Sequence, residues 1–386
     1  MARLGDICIQ ITDGSHNPPM GVEQSNYLML SSKNIDDDYI TLNDPRYLSQ
    51  EDFEAENRRT NIKPNDLLIT IVGTIGRVAI VPNSLTEFCV QRSVAVLKPK
   101  PEIVYNRFLM HYLQSMRPYL EQESRGVAQK GIYLKQLSNL SIILPPLDEQ
   151  RKIAAVLDKV SDLIAKRRQQ LDKLDEAVKA RFVEIFGEPD ENPKHWQEDE
   201  LSHHLKVIGG YAFKSDGFTD EGIPVLRIGN INSGHFLPVN MVYWPDDLAL
   251  ARYKVFPGDL VMSLTGTVGK DDYGNVCILG ADYDEYYLNQ RNAKLSIEKS
   301  LNKCYFSELL KFPRIKKRLT GISRGIRQAN ISNKDILTLR VPMPPIELQE
   351  QFAAFVEQTE KTKIIISHSL EKLETLKKAL MQEYFG

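Results

Sequence analysis

Residues 145–187 read PPLDEQRKIAAVLDKVSDLIAKRRQQLDKLDEAVKARFVEIFG, and residues 344–386 read PPIELQEQFAAFVEQTEKTKIIISHSLEKLETLKKALMQEYFG. Sliding residues 125–187 by 199 positions lays the first stretch on the second without a gap, and 19 of the 63 aligned positions are identical. Apolar residues recur in the first at Ile153, Leu157, Val160, Ile164, Leu171, Leu174, Val178 and Ile185, with Arg167 and Arg181 in the two remaining slots. Steps of four and three are the heptad seam of a helix that packs on another helix. The second stretch repeats it at Phe352, Val356, Thr359, Ile366, Leu370, Leu373, Leu380 and Tyr384, with Lys363 and Lys377 in the polar slots. Pro-Pro opens each helix, because Pro suits a first turn and disfavours helix before it. Gly187 suits the stop of the first. At about 1.5 Å per residue, each rod spans about 60 Å.

A lone amphipathic rod leaves its seam in water. Each helix could pack on its own domain, but two seams of equal length and period suit one another better. The second domain starts where the first helix ends, so antiparallel pairing is the simple connection. The expected fold class is α/β (mixed α+β): two similar domains in a pseudo-two-fold arrangement, separated by two long helices forming an antiparallel coiled coil. The expected boundaries are 1–144, 145–187, 188–343 and 344–386.

Upstream the repeat loosens but persists. Pro64-Asn65-Asp66-Leu67 echoes Pro257-Gly258-Asp259-Leu260, and Gly73-Thr74-Ile75-Gly76 echoes Gly266-Thr267-Val268-Gly269, both at an offset of 193. Gln91-Arg92 echoes Gln290-Arg291 at an offset of 199, so the second copy carries an insertion between these points. Apolar runs at 67–72 and 94–97 suggest strands between Gly and Pro turns. Residues 106–121 and 303–319 read as helical.

The chain of 386 residues is 42% hydrophobic and 26% charged, which is ordinary globular composition for two or three domains. Cys8, Cys89, Cys277 and Cys304 are scattered, with no C-x-x-C pair, so a disulfide scaffold or cysteine zinc site is not expected. No apolar run approaches the ~18 residues of a membrane span and no secretory leader opens the chain. A cytoplasmic protein, neither secreted nor integral to a membrane, is expected.

With 49 basic and 51 acidic residues the net charge is −2, which excludes a wholly basic coat but not a basic patch. Residues 92–135 hold eight basic and three acidic residues, and residues 311–340 hold nine basic residues against Asp335 alone. Acidic residues gather elsewhere, as in Asp36-Asp37-Asp38. Each basic run carries Arg-Gly-x-x-Gln, as Arg125 to Gln129 and Arg324 to Gln328. Arg offers bidentate donors to guanine or phosphate, Gln reads adenine, and Gly lets a backbone come close. A solvated charged face is the plain alternative. Ser15, His16 and Asn17, with the rough counterpart at Lys214 and Ser215, are base-edge or phosphate readers and equally ordinary turn residues.

Several motifs lead nowhere. Asn17-Pro18-Pro19-Met20 is similar to the N-P-P-aromatic motif of DNA adenine methyltransferases, but Met20 cannot stack as the aromatic does and no F-x-G-x-G cofactor loop accompanies it. Gly266 to Lys270 is too short for a P-loop and continues into Asp271. Only His203 and His204 are adjacent among seven histidines, and neighbours in sequence diverge, so zinc is not expected. No G-x-S-x-G elbow occurs.

Duplicated domains, each followed by a long helix opening with P-P-x-x-x-Q, resemble the specificity (S) subunits of type I restriction-modification systems. The matching residues are Pro145-Pro146, Gln150 and Ala154-Ala155, Pro344-Pro345, Gln349 and Ala353-Ala354, with Phe186-Gly187, Phe385-Gly386, the opening Leu4-Gly5-Asp6 and the Gly73 turn. The resemblance implies two target-recognition domains that each read half of a split double-stranded DNA site, and a helical spacer that fixes the unread gap. It implies modification (adenine methyltransferase) subunits and restriction (motor-nuclease) subunits as partners. Their S-adenosylmethionine, ATP and magnesium chemistry would not be this chain's, which is expected to hold no cofactor or metal and to be no enzyme. Arg151, Lys152, Arg167 and Arg168 are candidates for docking modification subunits.

The resemblance carries over only the Gly-containing basic loops and the Gln-Arg positions. The DNA-binding candidates are therefore Ser15, His16, Asn17, Arg77, Gln91, Arg92, Arg125, Gln129, Lys130, Lys214, Ser215, Gln290, Arg291, Arg324, Arg327 and Gln328. Two other classes stay open: a self-contained DNA methyltransferase or nuclease, and a two-domain protein-binding scaffold.

Overall fold

Both Pro-Pro segments open helices of 40 residues, the central helix Leu147–Phe186 and the C-terminal helix Ile346–Phe385. The computed structural model describes residues 1–124, 131–231, 234–267, 272–321 and 328–386. Each helix is divided between two units: Met1–Gln169 with Ile366–Gly386 form the first, and Gln170–Ile365 the second. In the first unit, Ile153, Ala154 and Leu157 share a core with Leu380, Met381, Tyr384 and Phe385, and Arg168 meets Glu374 at 2.7 Å. In the second, Val178, Phe182 and Phe186 share a core with Phe352 and Val356, and Lys363 meets Asp175 at 2.6 Å. Early residues of one helix thus meet late residues of the other, the antiparallel pairing expected from the chain connection.

The seam holds with two departures. Leu157, Val160, Ile164 and Val356 are buried, whereas Leu171, Leu174, Ile366, Leu370 and Leu373 are only half-buried. A two-helix seam covers its apolar row from one side, so water reaches the other. At the end of the central helix the buried row runs through Phe182 and Phe186 rather than Arg181 and Ile185. There the helix faces a globular core as well as the partner helix, and the buried face shifts off the heptad row.

Each unit stacks two sheets. In the first, an antiparallel sheet orders Cys8–Asp13, Val94–Pro99, Leu67–Thr70 and Val78–Ile80, beside a second ordering Arg46–Leu48, Tyr27–Leu30 and Phe88–Val90. The second unit repeats this with Leu205–Gly209, Asn292–Ile297, Leu260–Ser263 and Val276–Ile278, beside Val242–Trp244, Ile223–Leu226, Tyr286–Leu288 and Lys254–Val255. In both, one pair of the second sheet is parallel: Tyr27–Leu30 with Phe88–Val90, and Ile223–Leu226 with Tyr286–Leu288. Strand Leu67–Thr70 is buried throughout because Leu67 and Ile69 face the helices while Leu68 faces the second sheet. That two-sided burial explains why the run is continuously apolar rather than alternating.

Both expected domain helices are broken, into Asn106–Ser115 and Arg117–Glu123, and into Lys303–Leu309 and Pro313–Thr320. Each second piece has Pro in its first turn, where the missing N–H costs nothing. Helix Gln50–Thr60 was hidden in an acidic stretch. Ser49 caps it by accepting from the Asp52 amide at 3.1 Å, and Phe53 stacks on Tyr27 at 4.9 Å.

The central helix is pinned to the first unit at Asp158. Arg107 donates to both its carboxylate oxygens, and His111 Nε2 lies 2.7 Å from Oδ1. Burial opposes ionisation of Asp158, but the hydrogen bonds from His111 and Arg107 and the Arg107 charge outweigh it, so the carboxyl titrates below its ordinary 3.8. A depressed carboxylate lends stability that is present above the unfolded value and lost as pH falls through the folded one. Asp158→Asn is expected to cost about 1–3 kcal/mol at neutral pH. The deficit relative to wild type should shrink below pH 3.8. Thermal melts of both proteins at pH 7 and pH 3 check this, and a pH-independent difference would contradict it.

Candidate nucleic-acid interface

Three loops of the first unit converge at the ends of its sheets. The Gly14 amide donates to Val90's neighbour segment at Val94 O (3.2 Å), Ser15 N to Val90 O (2.9 Å), Arg92 N to Ser15 O (2.9 Å) and Gln91 N to Leu30 O (2.9 Å). A Cβ on Gly14 would lie 1.8 Å from Val90 O, so only Gly permits this approach. The loop after strand Tyr27–Leu30 is a 3-10 turn, Ser32–Asn34, locked by a buried side chain. Asn34 Oδ1 accepts from Ser31 N at 3.0 Å, and Nδ2 donates to Asn43 O at 2.9 Å. Ser93 Oγ accepts from Ser32 N at 3.0 Å, joining this turn to the third loop.

The second unit rebuilds most of this frame, although Leu226 O accepts from Asn292 Nδ2 (2.8 Å) where Leu30 O accepts from Gln91 N. Gly210 N donates to Asn292 O (3.3 Å), Tyr211 N to Leu288 O (2.8 Å) and Gln290 N to Tyr211 O (2.8 Å). A Cβ on Gly210 would lie 2.2 Å from Asn289 O. Asn230 Oδ1 accepts from Arg227 N at 2.9 Å, and its Nδ2 donates to Leu237 O and Val239 O, both at 3.0 Å.

This register corrects two sequence equivalences. Gln91 stands opposite Ser15 as Asn289 stands opposite Tyr211, so Gln91 matches Asn289 and Arg92 matches Gln290. Gly76 likewise matches Gly274 rather than Gly269. Both have positive φ (82° and 68°), and each donates its amide, at 2.8 Å, to the strand before the turn. Identical letters drew the sequence match, whereas the extra residues of the second copy lie inside this turn. Thr265–Thr267 pairs there with Gln328–Asn330, where the first copy has the single bridge of Val72 with Gly131.

The frame brings together several of the residues proposed from sequence. Arg92, Lys214 and Arg291 are exposed, and their side chains have no partner among the described residues. Ser215, Gln290 and Arg291 line a cleft of about 460 Å³ with Phe213, Arg227 and Asn289. Ser15 and Gln91 are half-buried; Asn17 is exposed, and His16 Nε2 lies 2.7 Å from Asp13, which also holds Arg59 at 2.6 Å. Arg77 lines a separate cleft of about 470 Å³ with Gly73, Thr74 and Arg117. It is 2.8 Å from Asp36, while Arg117 pairs with Asp37. Arg125, Gln129, Lys130, Arg324 and Arg327 lie outside the described residues, and Gln328 is described only as backbone in its strand.

Much of the basic charge is instead paired with carboxylates of the chain itself. Lys98 pairs with Asp66, Arg107 with Asp158 and Lys311 with Glu308. On the central helix, Arg151 and Lys152 pair with Asp148 and Glu149, one turn before them. Sequence reasoning missed Arg117, Arg227 and the locking Asn34 and Asn230. The shared Asn-Ile at 34–35 and 230–231, at an offset of 196, was the available signal.

Other chemistry finds little support. Burial pushes the Cys8, Cys89 and Cys277 thiols up to about 12, the opposite of an activated nucleophile. His203 and His204 do not diverge: they meet the two oxygens of Asp199 at 3.0 and 3.1 Å. His203 and the Glu200 amide hold that carboxyl at about 2. Among the described residues no group of three or more His, Cys, Asp or Glu side chains could hold a metal ion, and no helix is long and apolar enough to cross a membrane.

Comparison with known proteins follows the same duplication. The family described as type I restriction modification DNA specificity domain matches twice, over residues 24–175 and 193–375. The type I restriction enzyme MjaVIII specificity subunit of Methanocaldococcus jannaschii is 24% identical over 350 residues, covering 84% of this chain and 79% of its own length. The EcoBI specificity subunit of Escherichia coli is 37% identical over 121 residues, 31% of this chain and 25% of its own. A crystal structure of a type I restriction-modification S subunit from M. genitalium aligns with a TM-score of 0.57 at 15% identity, over 100% of this chain and 95% of that one. A chain from a structural study of type I R-M complex assembly and conformational transition aligns with a TM-score of 0.53 at 18% identity, over 99% and 96%.

Proposed function

The chain belongs to the type I restriction modification DNA specificity domain family, and from that premise we propose that it reads a bipartite double-stranded DNA site for a methylating and cleaving complex without itself making or breaking a bond. The observation that carries this is the frame built twice in one chain, with exposed cations on each copy that have no partner among the described residues. Lys214 and Arg291 in the second unit supply phosphate contacts, which position a reader without informing it. Neighbouring amides and guanidiniums then meet base edges. Joining two readers makes the second binding event intramolecular, so modest half-site affinities combine. The paired helices act as the ruler between half-sites, and their charged outer faces, including Arg151 and Lys152, dock modification subunits, with restriction subunits added to these. A cytoplasmic location accords with that work.

Footprinting of the full chain assembled with its modification subunits tests the reading. Two protected patches separated by a constant unread interval are expected. The isolated chain should bind no S-adenosylmethionine; stoichiometric binding would reject the non-catalytic role. Absence of any protection would favour the protein-binding scaffold.

A further inference from the structure

The two frames agree in what holds the backbone and differ in what the backbone presents. Gly14 and Gly210 make the same close approach, and buried Asn34 and Asn230 lock the same 3-10 turn. The side chains standing on this frame are another matter. Ser15, His16, Ser31, Lys33, Gln91 and Arg92 occupy it in the first unit. Tyr211, Ala212, Arg227, Gly229, Asn289 and Gln290 occupy the matching places in the second. Not one of the six pairs is conserved in kind of residue except Gln91 with Asn289.

Packing does not account for these differences. His16, Lys33 and Arg92 are exposed, as are Ala212, Arg227, Gly229 and Gln290. A Cβ on Gly229 would meet nothing within 4 Å, so the bare position is not required by its surroundings. Arg227, Gly229, Asn289 and Gln290 line one cleft, so their contributions converge on one ligand surface. The Arg227 guanidinium is steadied by donating to Asn240 O, which orients it without neutralising it.

Resting on the reading of both units as DNA readers, we propose that these six aligned positions determine the base preference of each unit. The frame carries them interchangeably. Amides at 91 and 289–290 suit adenine, and guanidiniums at 92 and 227 suit guanine. The slot at Gly229 is open to a base edge, whereas the Lys33 ammonium at the matching place in the first unit is held by Asp44 at 2.5 Å.

The test uses the full chain, assembled with its modification subunits, and selection from a pool of randomised double-stranded DNA followed by sequencing. The wild type should enrich two different half-sequences across a fixed gap. The exchange S15Y/H16A/S31R/K33G/Q91N/R92Q should convert the first half-sequence to the second and leave the other half and the gap unchanged. Arg92→Ala and Arg227→Ala leave the frame intact and should each relax discrimination about 5- to 150-fold at one position of one half only. These single variants decide the matter if the exchanged chain does not assemble. Wild-type half-sequences retained by both single variants would overturn this inference while leaving the bipartite reading in place. No enriched sequence with the wild-type complex would overturn both.

Discussion

Phe182→Ala is expected to bring the second unit close to unfolding. The ring is 1% exposed and lies 4.9 Å from Phe186 and Phe312 and 5.4 Å from Tyr305 and Phe352, centroid to centroid. Four aromatic rings from two long helices and two domain segments therefore meet around this one. Truncation loses the transfer free energy of the ring and leaves a hole that four rigid neighbours cannot fill, at a cost of about 3–5 kcal/mol. Domains hold only about 5–15 kcal/mol in total, so this is a large share. Denaturant unfolding should show a markedly lower midpoint. Hydrogen exchange should locate the loss to residues of the second unit. Leu163→Ala is the control: Leu163 is 39% exposed and should move stability by at most about 0.5 kcal/mol. Equal effects from the two variants would mean that the aromatic cluster is not the keystone of this core.

The second large effect concerns the proposed ruler. Deleting residues 168–174 and 367–373 removes one heptad from each helix and with it Leu171, Leu174, Leu370 and Leu373. Seven residues shorten a helix by about 10 Å, equivalent to about three base pairs at ~3.4 Å each. A heptad departs from whole helical turns by only ~20°, so the remaining seams still match. Three base pairs, however, turn DNA through about 100°, given 10–10.5 pairs per turn. The shortened chain should lose simultaneous engagement of both halves at the original gap, with affinity falling about 10²-fold or more. It should keep each half-sequence. Selection from DNA pools with varied gaps checks this, and an unchanged gap preference would dispose of the ruler.

The helices were the most legible part of the chain, because a heptad row is a one-dimensional signal that needs no partner to be recognised. Their antiparallel pairing followed from chain connection alone. What the row could not show was where a globular core joins the two rods: Phe182 and Phe186 lie off the heptad register because that core receives them together with Phe352. The sheets were legible as apolar runs, but not their exact correspondence between copies. Matching letters put Gln91 on Gln290, whereas hydrogen-bond register puts it on Asn289. The candidate site was legible as polar loops and basic runs. Charge counting could not tell Arg92, which projects freely, from Arg107, which is spent on Asp158, since that depends on carboxylates distant in sequence. Asn34 and Asn230 escaped notice because a locking amide resembles any other loop asparagine until its carbonyl partners are in place.

The division of each helix between two units has a consequence for synthesis. Phe385 packs edge-on against Phe108 and Tyr112, at 5.4 and 5.7 Å, within the first unit. Residues 366–386 thus complete a core whose other components end at Gln169. Ribosomes add about 5–20 residues per second, so the nascent first unit waits about 10–40 s with an apolar flank open to water. Until that late segment is made, the rings of Phe108 and Tyr112 lack the cover that Phe385 gives them.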